Sequence, residues 1–442
     1  MGAALHAVGL RKPLGTTLFI IVGITRCYGC LSRLSTPVKR QGSTSLARLS
    51  RVLLPTLLSV LTLMVPTTIP QLHAVPRLSN PQPSTTLQGT CFFGTSFAVN
   101  DGLLAVGSGC ADVVHVYNSS SGNLLYTLSG DPTQLDSFGV SIAMGRGLLV
   151  VGAPYHNAGN LAAQTGAGLV YVFNASSGIL LATVGNPNPE FYGFFGFSLA
   201  LDNGLLVVGS PDPGHVYEYN ASSGTLLETL TAPDTPSGAA FGYSVAIKSG
   251  MIVVGAPGYG GCSAWAGRTY VFKASSGALL TTLSSPNEQD GVAGGFGESV
   301  SMSDGLLVVG APCETVDGIL QAGRAYVYRF SSLALLSTLV SPNINLGGQF
   351  EEDANFGWTV AIGEGLLVVG APYENPDASG QAYVFRALSD ALFATLTDPN
   401  TQQRGNFGYN AIINVGLLII SATGSNLVYI YKVANALQKI ET

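Results

Sequence analysis

The octapeptide GLLVVGAP stands at residues 305–312 and again at 365–372, and it recurs whole or slightly altered in other units of the chain. Aligning on the dipeptide Phe-Gly gives seven starts, at Phe93, Phe138, Phe195, Phe241, Phe296, Phe356 and Phe407, spaced 45 to 60 residues apart. Each unit reads as four short β segments, such as FGYSVAI, GMIVVGAP, RTYVFKA and ALLTTL in the fourth, bounded by Gly, Ser, Asn and Asp. The second segment is apolar at successive positions rather than alternate ones, so both of its faces must be covered. A sandwich leaves most strands one wet face, and a transmembrane β-barrel needs an alternation that these strands lack. Four-stranded blades stacked around an axis cover each inner strand from both sides. The sequence therefore predicts an all-β chain, a seven-bladed β-propeller of four-stranded antiparallel blades.

The units FGxSVA…GLLVVGAP…AYVF resemble FG-GAP repeats, the family that forms the seven-bladed propeller of integrin α-subunits and of many surface proteins. The resemblance covers residues 93 to about 441. It implies a calcium loop of DxDxDG type between the first two strands of some blades. Here that connection is cut to VNDG, MGRG, LDNG, IKSG, MSDG, IGEG and NVGL. Such hairpins supply one carboxylate at most where calcium needs several converging oxygens, so no calcium residues are carried over, and no metal or cofactor is expected. Two segments compete to complete the last blade, ALQKIE at 436–441 and STTLQG at 84–89.

Residues 1–83 read as a leader and 84–442 as the propeller. Residues 1–100 hold nine Lys or Arg and no acidic residue, whereas 101–442 hold ten basic and 25 acidic residues, a net charge of −15. Such a body repels nucleic acid. Two apolar stretches, 14–24 and 53–65, follow basic residues and are shorter than the roughly 20 residues of a membrane-spanning helix. The second resembles a signal-peptide core with Ala74 at a cleavage position. The expected location is secreted or cell-surface, with a retained anchor or an organelle-targeting leader as the competing readings. Membrane contact is expected only through an uncleaved N-terminal segment. Cys91 and Cys110 flank a hairpin that brings them nearly opposite, and Cys262 and Cys313 occupy equivalent loops of neighbouring repeats. Disulfides at both pairs and buried free thiols are the two readings.

Outside the leader stand three histidines. His115 takes the place of a repeated third-strand tyrosine and is expected as a packed ring, and His215 is expected at an exposed edge. No HExxH, P-loop, GxSxG or zinc spacing is present. Connections between first and second and between third and fourth strands are short and uniform. The other two vary, so one face of the disc is plain and the other carries the variation. The variable face is expected to bring Tyr155, His156, Tyr259, Trp265 and Tyr373 near Glu314, Asp317, Glu351, Glu352, Asp353, Glu374 and Asp377, a mixture suited to a protein or glycan partner at a cell surface or matrix. On the plain face, Asn118, Asn174 and Asn220 stand as glycosylation acceptors at one equivalent turn, a place where Asn and Gly are also favoured for conformational reasons. The expected function is a non-catalytic binding or adhesion module. The alternative is an extracellular enzyme acting on polysaccharide with carboxylates at the central mouth.

Overall fold

Each first-to-second strand connection is a turn whose two central residues both have positive φ, from Asp101 and Gly102 in the first unit to Val415 and Gly416 in the last. Two left-handed residues in succession make the hairpin that matches strand twist, and Gly at the second position adopts it without strain. The turn is too tight to hold a calcium loop. In the computed structural model, the residues described are 78–79, 81–157, 166–234, 238–258, 262, 266–287, 294–344, 354–375, 377–400 and 403–433. The leader up to residue 77, Tyr259, Trp265, Glu351, Glu352, Asp353 and the segment 436–441 lie outside them.

Among the described residues every regular element is a β-strand, and the strands form seven sheets. Blades 1 to 6 are four-stranded antiparallel meanders over residues 93–129, 141–185, 198–231, 244–283, 300–339 and 359–397. Blade 7 has three strands of its own, Phe407–Asn414, Leu417–Ala422 and Leu427–Lys432. Its outermost strand is Thr85–Gln88, antiparallel to Leu427–Lys432 in the register Thr86 to Tyr429. The segment just ahead of blade 1 thus completes the last blade. A two-residue strand just before it, Leu78–Ser79, pairs parallel with the outer strand of blade 6.

The ring is held by seven apolar clusters, each drawn from two consecutive blades, the last joining blade 7 to blade 1. In the second strand of blade 2, Val151 packs toward blade 1 and Val150 toward blade 3, and both are fully buried. This two-sided burial is why the segment is apolar at every position, and each such side chain contributes on the order of 2 kcal/mol by leaving water. The seven Phe of Phe-Gly are all buried, and each of those in blades 2 to 7 packs against a third-strand tyrosine, as Phe138 does at 5.2 Å from Tyr171. His115 fills that place in blade 1, 5.9 Å from Phe93, its Nδ1 2.9 Å from Thr127 Oγ1, and burial lowers its pKa. His215 is half-buried and stacked 5.9 Å from Tyr217 rather than free at an edge, because the adjacent third-strand tyrosine offers it a ring face.

The Gly of the apolar strand has a second role. A Cβ on Gly107, Gly152, Gly209, Gly255, Gly310 or Gly370 would stand 2.0 or 2.1 Å from the carbonyl oxygen of the Phe-Gly glycine in the next blade. Serines one residue beyond the Phe-Gly-x tripeptide cross the same seams: Ser96, Ser141, Ser198 and Ser244 donate to those glycine carbonyls at 2.6 or 2.7 Å. Repetition of the motif is therefore repetition of one seam. At the closing seam Ser421 replaces the glycine.

Both cysteine pairs are bonded in the structure. Cys91–Cys110 has a Cα separation of 5.5 Å within blade 1, and Cys262–Cys313, at 5.0 Å, ties the second-to-third strand connection of blade 4 to that of blade 5.

Candidate binding site at the channel mouth

The left-handed glycine of Phe-Gly sends the chain into the innermost strand, and the next residue stands at the rim of the central channel on the variable face. Around the ring these residues are Thr95, Val140, Phe197, Tyr243, Glu298, Trp358 and Tyr409, all half-buried. Four of the seven are aromatic and one is a carboxylic acid. Phe197 and Tyr243 lie 5.0 Å apart between blades 3 and 4, and Trp358 and Tyr409 lie 5.6 Å apart between blades 6 and 7. Tyr373 reaches in from the second-to-third strand connection of blade 6 and meets Trp358 edge-on at 5.5 Å. Tyr243 of blade 4 hydrogen-bonds Glu298 of blade 5 and is close enough to Tyr409 of blade 7 to interact across the ring.

Electrostatics at the mouth follow from this crowding. Burial pushes the Glu298 carboxyl up to about 7, with the Tyr243 hydroxyl partly opposing the shift. Burial, then the neighbouring Glu298, drives Tyr243 well above the usual phenol range. Tyr409 rises to about 12 through burial, with Tyr373 and Glu298 adding to it. Near neutral pH the cup thus offers ring faces, phenol hydroxyls and one carboxyl that is poised between donor and acceptor.

Of the residues expected on the variable face, Tyr373 is, among the described ones, the one brought to this rim. Glu374 and Glu314 are buried rather than displayed. Glu374 accepts hydrogen bonds from Tyr383 and Ser341, both at 2.8 Å, and from Asn343 at 3.2 Å. Glu314 accepts from Ser285 and Tyr326 and pairs with Arg324 at 2.9 Å. Each satisfies a third-strand tyrosine hydroxyl, which would otherwise be a costly buried polar group. Blade 7 makes the same connection with Asp398 to Tyr429, and Asn400 donates to that hydroxyl at 3.1 Å. The repeated tripeptides Ser285-Pro-Asn, Ser341-Pro-Asn and Asp398-Pro-Asn are the sequence signal for these anchors, unread in the sequence analysis. Asp317 and Asp377 are exposed. His156 places Nδ1 3.1 Å from the fully buried carboxylate of Asp136. Tyr155 is exposed and packs on Phe194 at 5.0 Å. The other mouth residues were not expected from the sequence because each stands one place after Phe-Gly, where the repeats differ. On the plain face, Asn118, Asn174 and Asn220 each cap their turn through Oδ1, which accepts backbone N–H groups two and three residues on.

Another buried acid, without the partners that Glu314 and Glu374 have, stands away from the mouth. Glu218 occupies a third-strand position that is Val or Ile in the other blades. It is 2% exposed, its Oε2 has no hydrogen-bond partner among the described residues, and burial with the adjacent Glu228 raises it to about 7. For Glu218 and Glu298 alike the folded chain holds a proton more tightly than the unfolded chain does, whose carboxyls titrate near 4.5. Their contribution to stability is fully present below about 4.5 and is lost as pH rises through 7. Glu218→Gln is expected to raise the urea midpoint at pH 8 and to leave it nearly unchanged at pH 4.5. Equal shifts at both pH values would show that Glu218 is not the titrating group.

The family model described as FG-GAP repeat matches residues 128–173, 225–272 and 350–385. The first two segments run from the outer strand of one blade to the third strand of the next, and so each spans one inter-blade seam. No curated protein matches the chain. The chain thus carries FG-GAP repeats at three places within a seven-bladed β-propeller.

Proposed function

We propose that this propeller is a secreted or surface-tethered binding and adhesion module, non-catalytic, which engages a protein or glycan partner through its variable face with the channel mouth as the centre of contact. The observation that supports this reading is the cup of Phe197, Tyr243, Trp358, Tyr373 and Tyr409 around Glu298. Half-buried aromatic rings grouped about one polar group are the usual anchors of a contact surface, since they offer large rigid area at low entropic cost. Variation between blades is concentrated on the same face, so partner choice can change without disturbing the seams.

The test is binding of the fluorescently labelled full chain to cells of its source, measured by flow cytometry. Trp358→Ala is expected to weaken binding by about 30-fold, the effect of losing one central anchor worth about 2 kcal/mol. Lys248→Glu, at the exposed end of an inner strand on the plain face, is expected to leave it unchanged. Loss of binding in the second variant with retention in the first would move the working surface to the other side of the disc.

A further inference from the structure

A second group of aromatic residues lies on the variable face outside the mouth, where blades 2 and 3 meet. Phe191 is 55% exposed, Tyr155 43% and Tyr192 39%. Phe194 links them. Successive ring centroids from Tyr155 through Phe194 and Tyr192 to Phe191 are 5.0, 5.6 and 4.2 Å apart, a continuous strip. Exposed apolar area of this kind, contiguous and edged by polar groups, marks a contact site more often than chance does.

The backbone beneath the strip is strained in a way that hydrophobic burial does not explain. Tyr192 and Phe194 have φ of 54° and 52°. The residue before Phe-Gly is left-handed in every blade, but other blades fill the position with Ser137, Ala240, Gly295, Asn355 and Asn406, and blade 1 with Phe92. At the place of Tyr192, blades 4 and 7 have the left-handed Gly238 and Arg404. Bulky aromatics tolerate this region poorly, so placing two of them there within three residues costs stability while turning rings toward solvent.

The edge of the strip carries side-chain amides and carboxyls. Asn157 follows Tyr155 and His156, is exposed, and uses Oδ1 to accept from Gly166 N–H at 2.9 Å. Asn188 and Glu190, both exposed, precede Phe191. Glu190 lies near Asp212, whose carboxyl is raised by burial first and by that charge second. Flat rings match the C–H faces of pyranose units, and side-chain amides and carboxyls match their hydroxyls. Residues 186–194 and 155–157 contain no Lys or Arg to favour an acidic ligand, and His156 turns its Nδ1 to the buried Asp136 carboxylate at 3.1 Å.

We infer that the Tyr155–Phe194–Tyr192–Phe191 strip is a binding site for a neutral oligosaccharide, which stacks its sugar rings along the aromatic row and hydrogen-bonds to the amide and carboxyl edge. The inference rests on the reading of this face as a binding surface, and it assigns the glycan to a site separate from the mouth.

The experiment is isothermal titration of the full chain with cellohexaose, chitohexaose and mannohexaose. At least one is expected to bind, and the double variant Phe191→Ala/Tyr192→Ala to weaken it by about tenfold or more. Both side chains are exposed, so this variant should keep the thermal midpoint. Tyr192→Phe, which keeps the ring and removes the hydroxyl, is expected to weaken binding by about threefold, and Trp358→Ala to leave it unchanged. Absence of binding by all three sugars, or equal binding by wild type and the double variant, overturns the inference. So does loss of cell binding in the double variant when no sugar binds, since the strip would then be a protein contact. Sugar binding that depends on the strip, together with cell binding indifferent to Trp358, would support the inference and count against the mouth alone.

Discussion

Gly310→Ala is expected to destabilise the fold by about 3 kcal/mol or more, whereas Gly305→Ala, five residues earlier in the same GLLVVGAP motif, is expected to cost about 1 kcal/mol. The two glycines are needed for different reasons. Gly305 is the second residue of a tight turn with φ +75°, and a Cβ there meets nothing within 4 Å, so alanine meets only the intrinsic penalty of the left-handed region. Gly310 has no positive φ, but its Cβ would lie 2.0 Å from the Gly357 carbonyl oxygen of the next blade. That oxygen is backbone in a packed seam, and relief requires the two blades to separate. Urea unfolding of both variants checks the pair, and similar losses in the two would mean that the blades do not approach as closely as described. The effect should transfer to Gly152, Gly209, Gly255 and Gly370, whose Cβ positions meet the same obstruction.

The other large effect lies at ring closure. Deleting residues 85–88 removes four paired residues from Leu427–Lys432 and takes Leu87 out of the cluster between blades 7 and 1. Lost ladder hydrogen bonds at about 1 kcal/mol each and an unburied leucine at about 2 kcal/mol together come to on the order of 5 kcal/mol. The deletion also leaves the edge of Leu427–Lys432 unpaired, which invites association with another chain. The expected result is a lower urea midpoint and new oligomers on size-exclusion chromatography. Removing Leu78–Ser79 from the edge of blade 6 takes away only two paired positions and is expected to change neither. A shortened chain with unaltered stability would assign closure to some other segment.

The architecture was legible because its main demand is written in residue types. A strand dry on both flanks must be apolar throughout, and Leu306–Ala311 is buried at all six positions. The two-residue turns were equally plain, down to the conclusion that they leave no room for a calcium loop. Ring closure was not, since both 84–89 and 436–441 have strand character and only pairing distinguishes them; Thr85–Gln88 is the segment seen paired. The site was less legible still. Glu314 and Glu374 occur in variable loops and so read as surface acids, yet the tyrosine hydroxyls of the next strand draw them inward. Tyr243, Glu298, Trp358 and Tyr409 are separated by 51 residues or more along the chain, and only the curvature of the ring brings them around one axis. Phe191 and Tyr192 lie in the linker between blades 2 and 3, and the exposure of Tyr192 goes with a left-handed backbone angle that composition does not encode.

The central claim is that seven sheets cover one another in a closed ring, so that every second strand is shielded from both sides. Native-state hydrogen exchange of the full chain reads this directly, because amides opened only by global unfolding exchange slowest. The second strands of all seven blades, Leu417–Ala422 of blade 7 included, are predicted to form one slowest-exchanging class, with the outer strands faster. A second strand in any blade exchanging as fast as the outer strands would contradict the closed ring.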